Sequence, residues 1–574
     1  MTALHRRWAV LWLVVLAGLP CAWAEDETPT ARGRSGMVAT DSPLASQIGA
    51  DVLKAGGNAF DAAVAASFAL AVTRPESTGL GGGGFMLAYV AAQKRFIALD
   101  FREMAPASAT AERYAKLHAE RGEGPSPSIV GGNAVGVPGQ VAGLFEINRR
   151  FGSQPLAELV RPAAAMAAVG FPIDAHYRDA VRDTLEEYDK HPQHKYWYAA
   201  LRKTLLFDGK LPAVGTMLKR PDLAGALRMI ADRGPEALYE GPIGEAIVAT
   251  VNKDRGEMTA QDLRNYKVRE LTPVRARVGE YEIVSMPPPS SGGVCLIETL
   301  NVLHCAAEDL GGLSKLAGDE RYPPLLVKAL RHSFADRARW LGDPDFASIP
   351  VDRLISADYG CELAKRLDAP LDECGMRELR DDSGTSHFCV ADEQGNIVAM
   401  TETVNGTFGS YLVAEPYGIV LNNQMDDFAT EPGGANLFGL VQGDRNVVAP
   451  GKRPLSSMSP TIVLRDGRPV LTLGGSGGPR IITAVLQVLI NVTEFGMPLD
   501  EAMAAVRLHH QWRPDEVYFD REPPAELTAI LEKAGLKMSD KRRGAAVQAI
   551  QWLPDGTLVG GSDPRKGGRP VGLP

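Results

Sequence analysis

Two runs of alternating residues, Thr385 to Asp392 and Asn396 to Thr403, flank the triplet Glu393-Gln394-Gly395 and constrain the fold more than any other stretch of the chain. The triplet has the length of a hairpin loop, and Gly395 supplies the positive φ that such a loop needs near its end. Pairing Asp392 with Asn396 and counting back along both strands sets Thr385 opposite Thr403. Cross-strand partners stand about 5 Å apart at Cβ, so two small hydroxyls face each other where the first strand begins, directly after Ser383-Gly384. Two readings are open from this stretch alone: threonine simply favours strands, or one of the two hydroxyls reacts.

The residues before the hairpin build layers. Ala31 to Thr40 reads as one strand. Leu44, Ile48 and Val52 recur at helical spacing, and Gly56 suits the helix end. Asn58 can cap the next helix, whose A-F-D-A-A-V-A-A-S-F-A-L-A-V run is apolar nearly all round and predicts burial between layers. Gly79 to Leu87 lacks the G-K-[ST] ending and the following helix of a phosphate loop. It leads instead into a hairpin that turns at Gln93-Lys94 and ends at Arg102. That arginine is either a surface ion pair or a fixed fork for a carboxylate. Leu156 to about Asp262 is mostly helical, the run from Pro273 reads as strands, and Ser290-Ser291-Gly292-Gly293 opens an apolar helix. Asp336 to about Asp382 is charged and reads as irregular.

After the hairpin, Tyr417 to Phe428 reads as a strand ending in Asn422, Asn423, Gln424, Asp426 and Asp427, either a recognition surface or a solvated turn. The loop from Glu431 to Lys452 is long, as lids often are. Ser456 and Ser457 offer hydroxyls just beyond it. Thr461 to Leu473 reads as a second hairpin, around Asp466-Gly467, that runs into G-G-S-G-G-P and a helix with Pro479 at its first position. The N–H groups of Gly477 and Gly478 at that positive helix end suit an anion. With no lysine or nucleotide motif nearby, an oxyanion hole fits better than a phosphate cradle, the alternative being a plain Gly-rich turn. His509 and His510 are adjacent rather than at the i, i+4 spacing of helical zinc ligands, and read as packing residues.

Charge and cysteine content narrow the function classes. The net charge is −9 over 574 residues, with no basic stripe, which argues against nucleic acid as a partner. His5-Arg6-Arg7, the apolar run Trp8 to Leu19 and Ala22-Trp23-Ala24 have the plan of a cleaved signal peptide over residues 1–24. The apolar run is short for a membrane span, so export to the periplasm or medium is expected, without an anchor. Five cysteines remain beyond it, an odd number, and Cys361 could bridge Cys374 in an exported protein.

Taken in order, E-S-T-G-L-G-G-G-G-F-M, L-D-F-R-E-M-A-P, G-T-S-H-F-C-V-A-D, L-N-N-Q-M-D-D-F, K-R-P-L-S-S-M-S-P-T and G-G-S-G-G-P-R-I-I-T are similar to the motifs of the γ-glutamyltranspeptidase (γ-glutamyltransferase) family. The resemblance runs from about Gly36 to the end of the chain. It implies an α+β, four-layer αββα sandwich of the N-terminal-nucleophile hydrolase kind, formed as one composite domain. It implies a precursor that cuts itself between Gly384 and Thr385, giving a large chain of residues 25–384 and a small chain of residues 385–574 that stay together as a heterodimer. The implied activity is γ-glutamyl transfer from glutathione and other γ-glutamyl compounds to water, amino acids or dipeptides, through an ester on Thr385. No cofactor or metal is implied. By motif, Thr403 orients the nucleophile, and Gly477 and Gly478 form the oxyanion hole. Arg102, Ser456 and Ser457 hold the substrate α-carboxylate; Asp427, Asn405 and Gln424 hold its α-ammonium. Two positions depart from the family pattern: Ser386 follows the nucleophile where many members have threonine, and Phe438 stands in the lid where some bacterial members have tyrosine. Two rivals are a glutaryl or cephalosporin acylase of the same fold, and an exported binding protein without catalysis.

Overall fold

The computed structural model describes residues 29–122, 124–190, 195–371, 384–431 and 434–574. Fourteen strands make its two large sheets. In chain order they are β1 (Thr30–Gly33), β2 (Gly36–Thr40), β3 (Gly83–Val90), β4 (Arg95–Phe101), β5 (Arg269–Leu271), β6 (Val274–Val278), β7 (Tyr281–Ser285), β8 (Gly384–Asp392), β9 (Ile397–Asn405), β10 (Thr461–Arg465), β11 (Arg468–Ser476), β12 (Ala546–Trp552), β13 (Leu558–Ser562) and β14 (Val571–Leu573). The first sheet runs β14-β2-β8-β9-β3-β4-β5 and the second β1-β13-β12-β11-β10-β7-β6. β8 and β9 sit near the middle of the first sheet and pack across onto β11 and β12 of the second.

Helices cover the two outer faces. On the first sheet lie α1 (Pro43–Lys54), α2 (Ala59–Thr73) and α3 (Gln140–Phe151), with α4 (Leu156–Val169) and α5 (Pro221–Arg233) packed behind α2. On the second lie α6 (Gly292–Ala307) and α9 (Arg480–Thr493), backed by α7 (Tyr322–Trp340) and α8 (Ala357–Ala364). The architecture is therefore α+β, a four-layer αββα sandwich. Every residue of α2 is buried, as its all-round apolar pattern predicts. Asn58 caps it by accepting from the amides of Phe60 and Asp61, and Asp61 completes a capping box.

The alternation of β8 and β9 sorts side chains between two buried faces rather than between core and water. Phe388, Val390, Val398 and Met400 point to the helices, whereas Cys389, Ala391 and Ala399 fill the space between the sheets. By that alternation Thr385 and Thr403 also point between the sheets. The register is Thr385 opposite Thr403, as counted from the loop.

Three sequence expectations are corrected. Ala31 to Thr40 is two strands in different sheets, because the chain reverses at Gly33. A Cβ there would lie 2.7 Å from the carbonyl oxygens of Gly36 and Leu573. The stretch from Asp336 is not irregular at its start: α7 continues through Trp340 and α8 follows, Tyr359 of α8 donating to Asp336 of α7. Residues 372–383 lie outside the described residues. Cys361 bridges Cys305 rather than Cys374, with 5.3 Å between Cα atoms. This distance is within the bridging range, and it arises because α8 lies along α6, a packing that cysteine spacing does not report. Cys374 lies outside the described residues, and Cys295 and Cys389 are buried free thiols.

Candidate active site

The pairing of β8 with β9 slips by one residue at its start. Gly384 stands opposite Asn405, whereas Thr385 stands opposite Thr403. Only glycine fits at 384, because an added Cβ would meet the Gly406 carbonyl oxygen at 2.1 Å. Thr403 Oγ1 donates to the Gly384 carbonyl, accepts from the Asn405 amide at 2.8 Å, and lies 3.0 Å from Thr385 Oγ1. A hydroxyl has one proton. Thr403 commits its own to Gly384, so Thr385 is the donor in the contact between the two threonines.

The Thr385 carbonyl accepts from the Lys566 ammonium, a contact that sequence reasoning missed. Lys566 is buried and also reaches Ser476 Oγ at 3.3 Å and Asp41 Oδ2 at 2.9 Å. Nothing in the spacing of D-P-R-K-G-G marks that lysine. It reaches β8 only because the C-terminal segment returns to pair β14 with β2.

Arg102 follows β4 directly and is fully buried. Its amide donates to Asp100 Oδ1 at 2.9 Å, its Nε to the Pro454 carbonyl at 3.3 Å, and its Nη2 to Asp427 Oδ2 at 2.5 Å. The surface ion pair weighed for Arg102 is thus replaced by a buried one. Asp427 also accepts from Gln424 Nε2 at 2.7 Å and, on its other oxygen, from Asn436 Nδ2 at 3.0 Å. Gln424 and Asp427 lie on a 3-10 turn, Gln424–Asp427, rather than on the strand end expected from Tyr417 to Phe428; the strand there is only Ile419–Val420. Asn422 causes the turn, because its side chain accepts the Gln424 amide and donates to the carbonyls of Gly81 and Gly136. Asn405 takes a positive φ of 77° and donates to the Asn423 carbonyl at 3.1 Å. Beside Arg102, burial pushes the Glu103 carboxyl up to about 8.

Ser456 and Ser457 lie just beyond Pro454, the carbonyl partner of Arg102. Ser456 Oγ accepts the Met458 amide at 3.1 Å, and Ser457 Oγ accepts from Arg337 at 3.4 Å, which leaves both hydroxyl protons available. Gly477 and Gly478 turn β11 into α9 with φ of 138° and 60°. A Cβ on Gly478 would lie 2.7 Å from the Phe438 ring, so the lid rests directly on that turn. The lid is tied down without a hydroxyl at 438. Asn436 donates to Asp427, Gln442 and Asn446 donate to the Asp427 carbonyl, and Gln511 donates to the Phe438 carbonyl at 3.1 Å. His509 orients Gln511 from 2.9 Å. Burial holds that imidazole neutral, with its pKa pulled down to about 3.

A single cavity of about 20 Å³ collects these groups. It is lined by Thr385, Thr403, Arg102, Asn405, Gln424, Asp427, Ser456, Ser457 and Gly478, under Phe438. Gly477 is the one expected site residue outside that lining, and it adjoins Gly478. The arrangement sets a hydroxyl on a strand end between opposite fixed charges and a helix N-terminus. The charges around that hydroxyl suit a group carrying both signs, although the space as it stands is that of about one water.

Residues 45–573 match the gamma-glutamyltranspeptidase family. The chain is 41% identical over 549 residues to the glutathione hydrolase proenzyme of Escherichia coli (strain K12), covering 94% of this chain and 92% of that protein. It is 40% identical over 582 residues to the glutathione hydrolase proenzyme of Pseudomonas aeruginosa, covering 98% and 99%. Among solved structures, the cephalosporin acylase of Bacillus halodurans superposes with a TM-score of 0.80 at 26% identity, over 97% of this chain and 99% of that one.

Proposed function

Since the chain belongs to the γ-glutamyltranspeptidase family, we propose that it is a glutathione hydrolase and γ-glutamyltransferase that activates itself by cutting its own chain before Thr385. The observation that carries this reading is the convergence of the two threonines with the oppositely charged Arg102 and Asp427 on one cavity.

In the uncut chain, Thr385 Oγ attacks the Gly384 carbonyl carbon. Thr403, already donating to that carbonyl oxygen, stabilises the charge that develops on it. The C–N bond breaks, the nitrogen takes the proton, and water hydrolyses the resulting ester. This leaves a carboxylate on Gly384 and an α-amine on Thr385. An α-amine has a pKa of about 7.7–8.0, so at neutral pH it can take the proton of its own hydroxyl. The α-carboxylate of a γ-glutamyl donor lies against Arg102, Ser456 and Ser457, and its ammonium against Asp427, Asn405 and Gln424. Each partner of the Arg102–Asp427 pair then gains a substrate charge of opposite sign. Thr385 Oγ attacks the γ-carbonyl, the amides of Gly477 and Gly478 hold the oxyanion, and the amine leaves with a proton. Water, or the amine of an amino acid or dipeptide, resolves the ester.

Residues 1–24 direct export, and the large and small chains form the working heterodimer. No helix among the described residues is long and apolar enough to cross a membrane.

The acylase reading is favoured by the superposition on the cephalosporin acylase. Asp427 argues against it, because a glutaryl group has no ammonium for that carboxylate. Hydrolysis of γ-glutamyl-p-nitroanilide should exceed that of glutaryl-p-nitroanilide, and the reverse preference would sink the donor assignment. Purified enzyme should give two bands on denaturing electrophoresis, the smaller beginning Thr-Ser-His-Phe. Thr385→Ala should give one uncut, inactive chain; cleavage of that variant would overturn the nucleophile assignment.

A further inference from the structure

Behind the two serines of the cavity lies a second guanidinium that the mechanism above does not use. Arg337 extends from α7 and is 1% exposed. Its Nε donates to Ser291 Oγ at 3.0 Å and its Nη2 to Ser457 Oγ at 3.4 Å, while Nη1 has no partner. Among the described residues no carboxylate lies within ion-pairing distance of it. Burial opposes its charge, Asp427 favours it and Arg102 opposes it, so its field reaches the charged pair that lines the cavity.

Ser291 links this guanidinium to the other serine. The Ser291 amide and hydroxyl both donate to the Ser456 carbonyl, at 2.8 Å and 2.6 Å. Arg337 thus spans the support of Ser456 and the hydroxyl of Ser457. A buried cation without a counter-ion is costly, and here the cost falls beside the place where an anion would arrive. Arg102 cannot supply the whole attraction, because Asp427 already balances its charge.

We propose that Arg337 is a positioning residue for the α-carboxylate of the γ-glutamyl donor. It holds Ser457 so that the serine's own proton is free for that carboxylate, and it leaves a net positive charge behind the subsite. The inference rests on the donor reading given above. It makes carboxylate recognition depend on a residue that touches the substrate only through Ser457.

The test measures competitive inhibition of γ-glutamyl-p-nitroanilide hydrolysis by L-glutamate and by its α-amide, which keeps the shape and loses the charge. In self-cleaved enzyme, Arg337→Gln should weaken glutamate by about tenfold, the weight of one charge-assisted contact, and leave the α-amide within about twofold. Arg337→Lys should recover much of the loss. Equal shifts for both inhibitors, or none for glutamate, would overturn the proposal, since a merely structural arginine moves the two together. Should Arg337→Gln fail to self-cleave, Ser291→Ala removes the anchor of Nε and one of the two donations to the Ser456 carbonyl, the amide's being kept, and allows the same comparison. A smaller shift confined to glutamate is expected there, and an equal shift of both inhibitors overturns the proposal. Preference of the wild-type enzyme for glutaryl over γ-glutamyl anilide would sink the donor reading alone, because glutaryl donors carry the same carboxylate.

Discussion

At Thr403 a single hydroxyl donates to the Gly384 carbonyl and accepts from the Asn405 amide and the Thr385 hydroxyl, so the Thr385 proton has one defined direction. The facing of these two threonines was legible in the sequence, because it needs only a loop length and a count along two strands. Lys566 was not legible. Its ammonium touches the carbonyl of Thr385, whose nitrogen is the amine of the proposed mechanism, and a nearby positive charge favours the neutral form of an amine. Asp41, paired with Lys566 at 2.9 Å, tempers that effect without removing it. Lys566→Met should therefore raise the amine pKa. The acid limb of kcat/KM against pH, measured on the self-cleaved fraction, should move up by about one pH unit. A drop in rate with an unmoved limb would leave Lys566 with a structural role only.

At the scale of elements, the lid and the β11–α9 turn form one unit, because the Phe438 ring lies where a Gly478 side chain would be. Gly478→Ala keeps the amide but adds a methyl against that ring, at a φ of 60° that favours glycine. We expect kcat to fall by about a hundredfold, the weight of one misplaced oxyanion donor. Phe438→Ala in the same chain should restore part of the loss by making room. If the second substitution recovers nothing, the turn rather than the lid contact sets the rate. Elements with a clear period were legible: the three hairpins, the all-round apolar α2 with its Asn58 cap, and α9. Elements shaped by side-chain contacts were not. The 3-10 turn at Gln424–Asp427 depends on Asn422 binding Gly81 and Gly136, and the charged start of α8 reads as loop until α6 is packed beside it.

For the whole molecule, the bond before Thr385 divides both sheets. The first sheet takes β2 to β5 from before the bond and β8, β9 and β14 from after it; the second takes β1, β6 and β7 from before and β10 to β13 from after. Five ladders cross the division: β2 with β8, β2 with β14, β3 with β9, β7 with β10 and β1 with β13. Cutting one bond removes none of these contacts. The two chains should therefore co-elute in gel filtration and separate only in denaturant, and separation of native chains would contradict the shared core. By itself the sequence determined the burial of α2 between layers, the register of Thr385 on Thr403 and the glycine turn before α9, since each follows from a local period, a count or a forced φ. Its motif resemblance added the four-layer α+β class and which residues to look for. Only the tertiary structure decided that Arg102 meets Asp427 across 325 residues, that Lys566 reaches Thr385, that Arg337 backs Ser457, and that Cys305 pairs with Cys361. Those contacts join side chains from different layers, and the packing of layers leaves no periodic trace along the chain.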